Sequence, residues 1–133
     1  MFLYYLNTNE GEAFLELANI AIMADGVVKD CEIAVIENYK KELSMQDYQI
    51  ENLSYESILD IIKDSSKQVK RSIIIELTAI LYSDKEIDES EITWIEKLSK
   101  DLNIEEKEFQ RLLRWAKDLA DFVEVGLMYI NCQ

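Results

Sequence analysis

Residues 72–91 read SIIIELTAILYSDKEIDESE, and their reading decides the fold. The first half is the most apolar helical run in the chain, and the second half is its densest cluster of acids. Val69, Ile73, Leu77, Ile80 and Leu81 recur at helical spacing, while Ile74 and Ile75 widen the apolar surface beyond one stripe. That pattern predicts a central helix over about 67–83, covered on several sides. Glu76 and the length of the pattern argue against a buried strand at 73–75.

Outward from this helix the same periodicity recurs. Phe14, Leu17, Ala18, Ala21 and Ile22 predict a helix over about 13–24, after a polar turn that contains Gly11. Ile33, Ile36, Tyr39 and Leu43 form one stripe of a helix from Asp30 to about Glu42. Ser44 with Asp47 has a capping-box arrangement that opens a short helix through Ile50, and a further one is expected over about 54–64. Ser65 and Ser66 cap the central helix. Asp88 with Glu91 opens a helix to about Leu102, and Asn103 with Glu106 opens the last one. The stretch 122–130 is almost continuously apolar, so it either closes the bundle or forms a partner surface. The apolar start, 1–6, is expected to pack on the domain.

Composition points the same way. The 133 residues include no proline and three glycines, which leaves few turn-formers and favours helices joined by short polar turns. This length suits one domain, 1–133, with a core that needs no disulfide or structural metal. A net charge of −13 repels nucleic-acid phosphate and anionic lipid and favours cations or basic protein surfaces. Histidine is absent, which removes the usual neutral-pH proton shuttle and the commonest transition-metal ligand. Cys31 and Cys132 read as free thiols in a reducing compartment. With no basic leader and no stretch able to span a bilayer, the expected location is the cytoplasm, without membrane insertion.

A shift of 59 residues aligns 13–47 with 72–106 without a gap. Seven of the 35 positions are identical, among them Asp25 with Asp84, Glu32 with Glu91, Ile36 with Ile95 and Leu43 with Leu102. Amphipathic hairpins of equal length account for the apolar matches. They account less easily for an acid at the end of one helix and a second acid seven residues later, found twice. Two such hairpins related by a pseudo-twofold would share one core.

These acids are the candidate site. Asp25 and Asp84 stand at helix C-termini, where the dipole disfavours negative charge, so a bound cation or a hydrogen bond across the turn would explain them. Glu32 and Glu91 stand in first turns, where local capping is the plainer role. Asp88 adds a further carboxylate to the second turn. Oxygen ligands of this kind suit Ca²⁺ or Mg²⁺, although neither turn has the twelve-residue loop of an EF-hand. No catalytic constellation is visible; Ser44, Ser65, Ser66 and Ser90 read as caps or turn residues, and Trp94 and Trp115 as core edges.

MADGVVKDCE (23–32), with IAI before it and IAVIENYKKEL after it, resembles the signature hairpin of the tellurite-resistance TerB family, and YSDKEIDESEITWIEKLSKDLNI resembles its second copy. The similarity spans about 13–119. It implies a compact all-α bundle of about seven helices with a pseudo-twofold repeat. It also implies an acidic surface for a divalent cation (Ca, Mg, Mn or Zn), with Asp25 and Glu32 in the first motif and Asp84 and Glu91 in the second. Two departures from equivalence stand out: Lys85 replaces Gly26, and Lys29 stands where the second copy has Asp88. The functional expectation is a non-enzymatic acidic module, with divalent-cation binding as its candidate activity, in a stress-response or tellurite-resistance setting. The alternatives are a metal-free scaffold for a protein partner or homo-oligomer and, more remotely, a carboxylate-dependent enzyme.

Overall fold

The computed structural model of the protein describes residues 1–23, 30–83 and 89–131, and of 30–32 and 83 the backbone alone. A 3-10 turn at Leu3–Tyr5 precedes α1 (Thr8–Met23), α2 (Asp30–Glu42), α3 (Tyr55–Ile62), α4 (Lys67–Ser83), α5 (Glu89–Asp101) and α6 (Glu106–Asn131). The described chain is all-α, a compact bundle of six α-helices, one fewer than the expected seven. Helix α4 is central, as its broad apolar surface requires: α1, α5, α6 and the 3-10 turn all pack on it.

The core follows from helical spacing on α1 and α4. Phe14, Leu17 and Ala18 of α1 and Ile73, Ile74 and Leu77 of α4 are fully buried, in one cluster with Ile58 and Ile62 of α3, Ile95 and Leu98 of α5, and Phe109 of α6. Phe14 meets the ring of Tyr39 edge-on, with centroids 5.0 Å apart, which fastens α2 to α1. The start of the chain joins this core through Leu3, while Tyr4 and Tyr5 remain in solvent. On α2 the expected stripe is only partly inside. Ile36 is buried and Tyr39 and Leu43 are half-buried, but Ile33 is exposed, because the main helix against α2 is α1.

Several helix ends differ from the sequence expectation for local reasons. Helix α1 begins at Thr8 rather than near residue 13, because Asn7 and Glu10 form a reciprocal capping box: Glu10 N–H donates to Asn7 Oδ1 and Asn7 N–H to Glu10 Oε1, both at 2.9 Å. Gly11 is therefore helical rather than part of a turn, and its missing Cβ lets Met45 approach; an added Cβ would lie 2.9 Å from the Met45 sulfur.

Ser44 and Asn103 do not open helices. Both have positive φ, 57° and 61°, and close the helices before them. Met45 N–H donates to Lys40 O and Ser44 N–H to Lys41 O, the paired bonds of a Schellman motif. Ile104 to Ser99 and Asn103 to Lys100 repeat the pattern. Consequently the segment from Leu43 to Ser54 contains no helix. Ser54 and Ser66 do act as caps: Ser54 Oγ accepts from Ser57 N–H, and Ser66 Oγ from Val69 N–H.

Many of these features recur 59 residues apart. Thr8 and Lys67, Asp30 and Glu89, and Glu42 and Asp101 are corresponding helix boundaries. Asn7 and Ser66 are corresponding caps, and Ser44 and Asn103 corresponding left-handed closures. Burial matches as well, with Phe14 and Ile73, Ala18 and Leu77, Ile22 and Leu81, and Ile36 and Ile95 all inside.

Candidate functional site

Of the acids put forward by the sequence, Asp25, Asp84 and Asp88 lie outside the described residues, as do Cys132 and the side chains of Cys31 and Glu32. Glu91 is described: it is half-buried in the first turn of α5. Among the described residues, no three Asp, Glu, Cys or His side chains stand together in a way that could hold a metal ion. Glu91 lines a pocket of about 580 Å³ between α1, α5 and the segment before α3. The pocket's apolar wall is Ile20, Met23, Leu53, Leu81 and Trp94, and Asn19, Asn52 and Ser90 add polar groups.

The strongest polar constraints in the interior come from acids that the sequence reading passed over. Glu16 is 1% exposed, with its carboxylate turned toward the segment before α3. Its Oε2 accepts from Tyr48 Oη at 2.7 Å and Glu51 N–H at 2.8 Å, and its Oε1 accepts from Leu53 N–H at 3.0 Å. A chain segment without helical bonds is thereby fixed by one charged side chain. Glu76, also buried, does the same for the N-terminal turn, accepting from Phe2 N–H and from the Met1 ammonium, both at 2.8 Å. Glu10 completes the set, its Oε2 accepting from Ser65 Oγ at 2.5 Å.

A signal for these roles was present in the sequence: Glu16 and Glu76 each interrupt an otherwise apolar helical face. A buried carboxylate without donors would be prohibitively costly. With fixed donors, each acid becomes an anchor; these oxygens are bonded within the chain itself.

The same acids govern the tyrosines. Burial, then the hydrogen bond to Glu16 and its charge, pushes the Tyr48 phenol well above the ordinary value of 10.0. Tyr39 is raised by burial and then by the Glu76 charge. Tyr55 is raised by burial and then by its hydrogen bond to Asp101.

Helix α6 presents a second candidate surface. Arg71 pairs with Glu108 near the starts of α4 and α6, and burial, then the charge of Asp121, raises the Tyr82 phenol near the end of α4, so the two helices run side by side in the same direction. Phe109 and Ala116 are buried along this contact. The described part of α4 reaches Ser83, beside this region, while α6 continues beyond Asp121 to Asn131. Phe122, Met128, Tyr129 and Ile130 are 66–78% exposed, and a Cβ at Gly126 would meet nothing within 4 Å. This apolar stretch does not close the bundle. No described helix is long and apolar enough to cross a membrane.

No protein family, curated protein or solved structure matches the chain.

The Tyr48–Glu16 contact carries a pH signature. Because the folded-state phenol is raised, its stabilising contribution is complete below the unfolded value near 10 and falls as pH rises beyond it toward the folded value. Tyr48→Phe is expected to cost about 1 kcal/mol near neutral pH, and the gap from the parent should close above pH 10. Urea unfolding of both proteins across that range measures it; a gap that stays constant contradicts the assignment.

Proposed function

We propose that this chain is a non-enzymatic interaction module of the TerB type, whose docking element is the exposed second half of α6. The observation that carries this reading is the run of large apolar side chains at 122–130, left in water by a protein that buries comparable residues elsewhere. A contiguous apolar patch on a soluble surface is the physical mark of an interface. The commitment of Glu10, Glu16 and Glu76 to internal donors supports the non-enzymatic part of the proposal. The TerB resemblance supplies the stress-response or tellurite-resistance setting.

A second reading has its own support. The 59-residue register of helix boundaries, caps and burial favours two equivalent hairpins within one domain, so Asp25 and Glu32 in one would answer to Asp84 and Glu91 in the other. With Asp88, these acids would hold a divalent cation between or beside the two turns. Oxygen-only ligands favour Ca²⁺, Mg²⁺ or Mn²⁺ over Zn²⁺.

Two measurements separate the readings. Removing residues 122–133 should leave the helical signal of the bundle intact while abolishing most binding of an apolar surface dye. Loss of the fold, or unchanged dye binding, contradicts the docking role. Calorimetric titration with Ca²⁺, Mg²⁺, Mn²⁺ and Zn²⁺ should give saturable heat that Asp25→Asn with Asp84→Asn removes; absence of heat for all four ions, or heat unaffected by the substitutions, contradicts the cation site.

A further inference from the structure

We propose that the partner of the α6 extension is a second copy of this chain, and that two copies exchange their extensions, each tip seating in the other copy's pocket beside Trp94. The inference rests on the docking role just assigned to α6 and adds the identity of the partner.

Knob and hole occur on the same molecule and at the same end of it. Leu81, two residues before the end of α4, lines the pocket, and Asp121 lies near Tyr82 where α6 leaves the bundle. The ten residues 122–131 then extend about 15 Å past that end. Because α6 is one unbroken helix to Asn131 and contributes no residue to the pocket wall, its tip does not fill its own pocket. A twofold axis across the extensions sets two bundles end to end with the extensions antiparallel. Each tip then points at the end face of the other copy, where Ile20, Met23, Leu53 and Trp94 open to solvent. Such an interface is self-complementary and closed, so association stops at the dimer.

The extension's own chemistry selects this partner. Phe122, Val123, Val125 and Met128 are each at least 45% exposed, and they lie on different sides of the helix. A helix apolar all round needs cover on more than one side. The exchanged arrangement supplies two, the twin extension and the other copy's pocket. Seven large apolar side chains, 45–78% exposed, leave on the order of 800 Å² open, comparable to one partner's share of a standard interface.

Charge points the same way. The whole chain carries −13, yet 122–131 contains one residue of formal charge at neutral pH, Glu124, so two extensions can meet with little direct repulsion. A bilayer fits less well: anionic lipid repels this charge, and a helix lying on a bilayer keeps a polar face that 122–130 lacks.

Sedimentation equilibrium of the full chain over a concentration series tests the proposal. The expected mass rises from 15.6 kDa to about twice that value, and added salt strengthens association by screening the repulsion between two chains of charge −13. Leu127→Asp with Ile130→Asp should give a folded monomer by circular dichroism. Met23→Glu, at an exposed position on the pocket wall, should weaken the dimer about tenfold or more.

A dimer that ignores either variant, or that weakens as salt rises, overturns the exchange. A monomer at every concentration whose dye binding still depends on 122–133 overturns the second-copy inference and leaves the docking role standing. A monomer without that dye binding overturns both.

Discussion

Two helices that run side by side but differ in length set the terms for this structure. Helix α4 has 17 residues and α6 has 26, and the Arg71–Glu108 pair aligns them near their beginnings. The mismatch therefore falls entirely at one end. Alongside α4 the apolar stripe of α6 is buried through Phe109 and Ala116; past Asp121 its large apolar side chains are exposed. The surplus apolar surface lies on the part of α6 past Asp121, and the choice of docking element follows from it.

The bundle that holds α4 in place is built from helices that gain little from propensity alone. Their stability comes from shared burial: α1 and α4 pack together and bury residues at corresponding helical positions, and other helices pack on each of them. Three buried carboxylates then fasten the parts that helical packing cannot reach. Glu16 gathers the non-helical stretch before α3, Glu76 gathers the chain start, and Glu10 joins the start of α1 to Ser65. An acidic protein spends these charges on internal donors, and each deletion would leave backbone N–H groups without their fixed acceptors.

Much of the helical layout was legible in the sequence because amphipathic periodicity is a strong signal over ten or more residues. Asp30–Glu42 and Lys67–Ser83 fall where the spacing of Ile36, Leu43, Ile73 and Leu77 puts them. The ends were harder, since Ser44 and Asn103 have the residue types of N-caps yet take left-handed conformations that terminate helices. That choice depends on bonds to Lys41 and Lys100, which composition alone does not reveal. Glu16 and Glu76 were visible as interruptions, but their partners come from distant parts of the chain. The exposed end of α6 was legible only as a pair of alternatives, because whether an apolar helix closes a bundle or leaves it depends on the length of its neighbour.

Hydrogen exchange of the amides at 122–131, compared between dilute and concentrated protein, tests most directly whether the end of α6 is an interface. The account predicts fast exchange when dilute and exchange slowed about tenfold or more when concentrated, with the core amides of α4 unchanged. Equal exchange of this segment at both concentrations, whether fast or protected, would contradict pairing of the extension with a second copy.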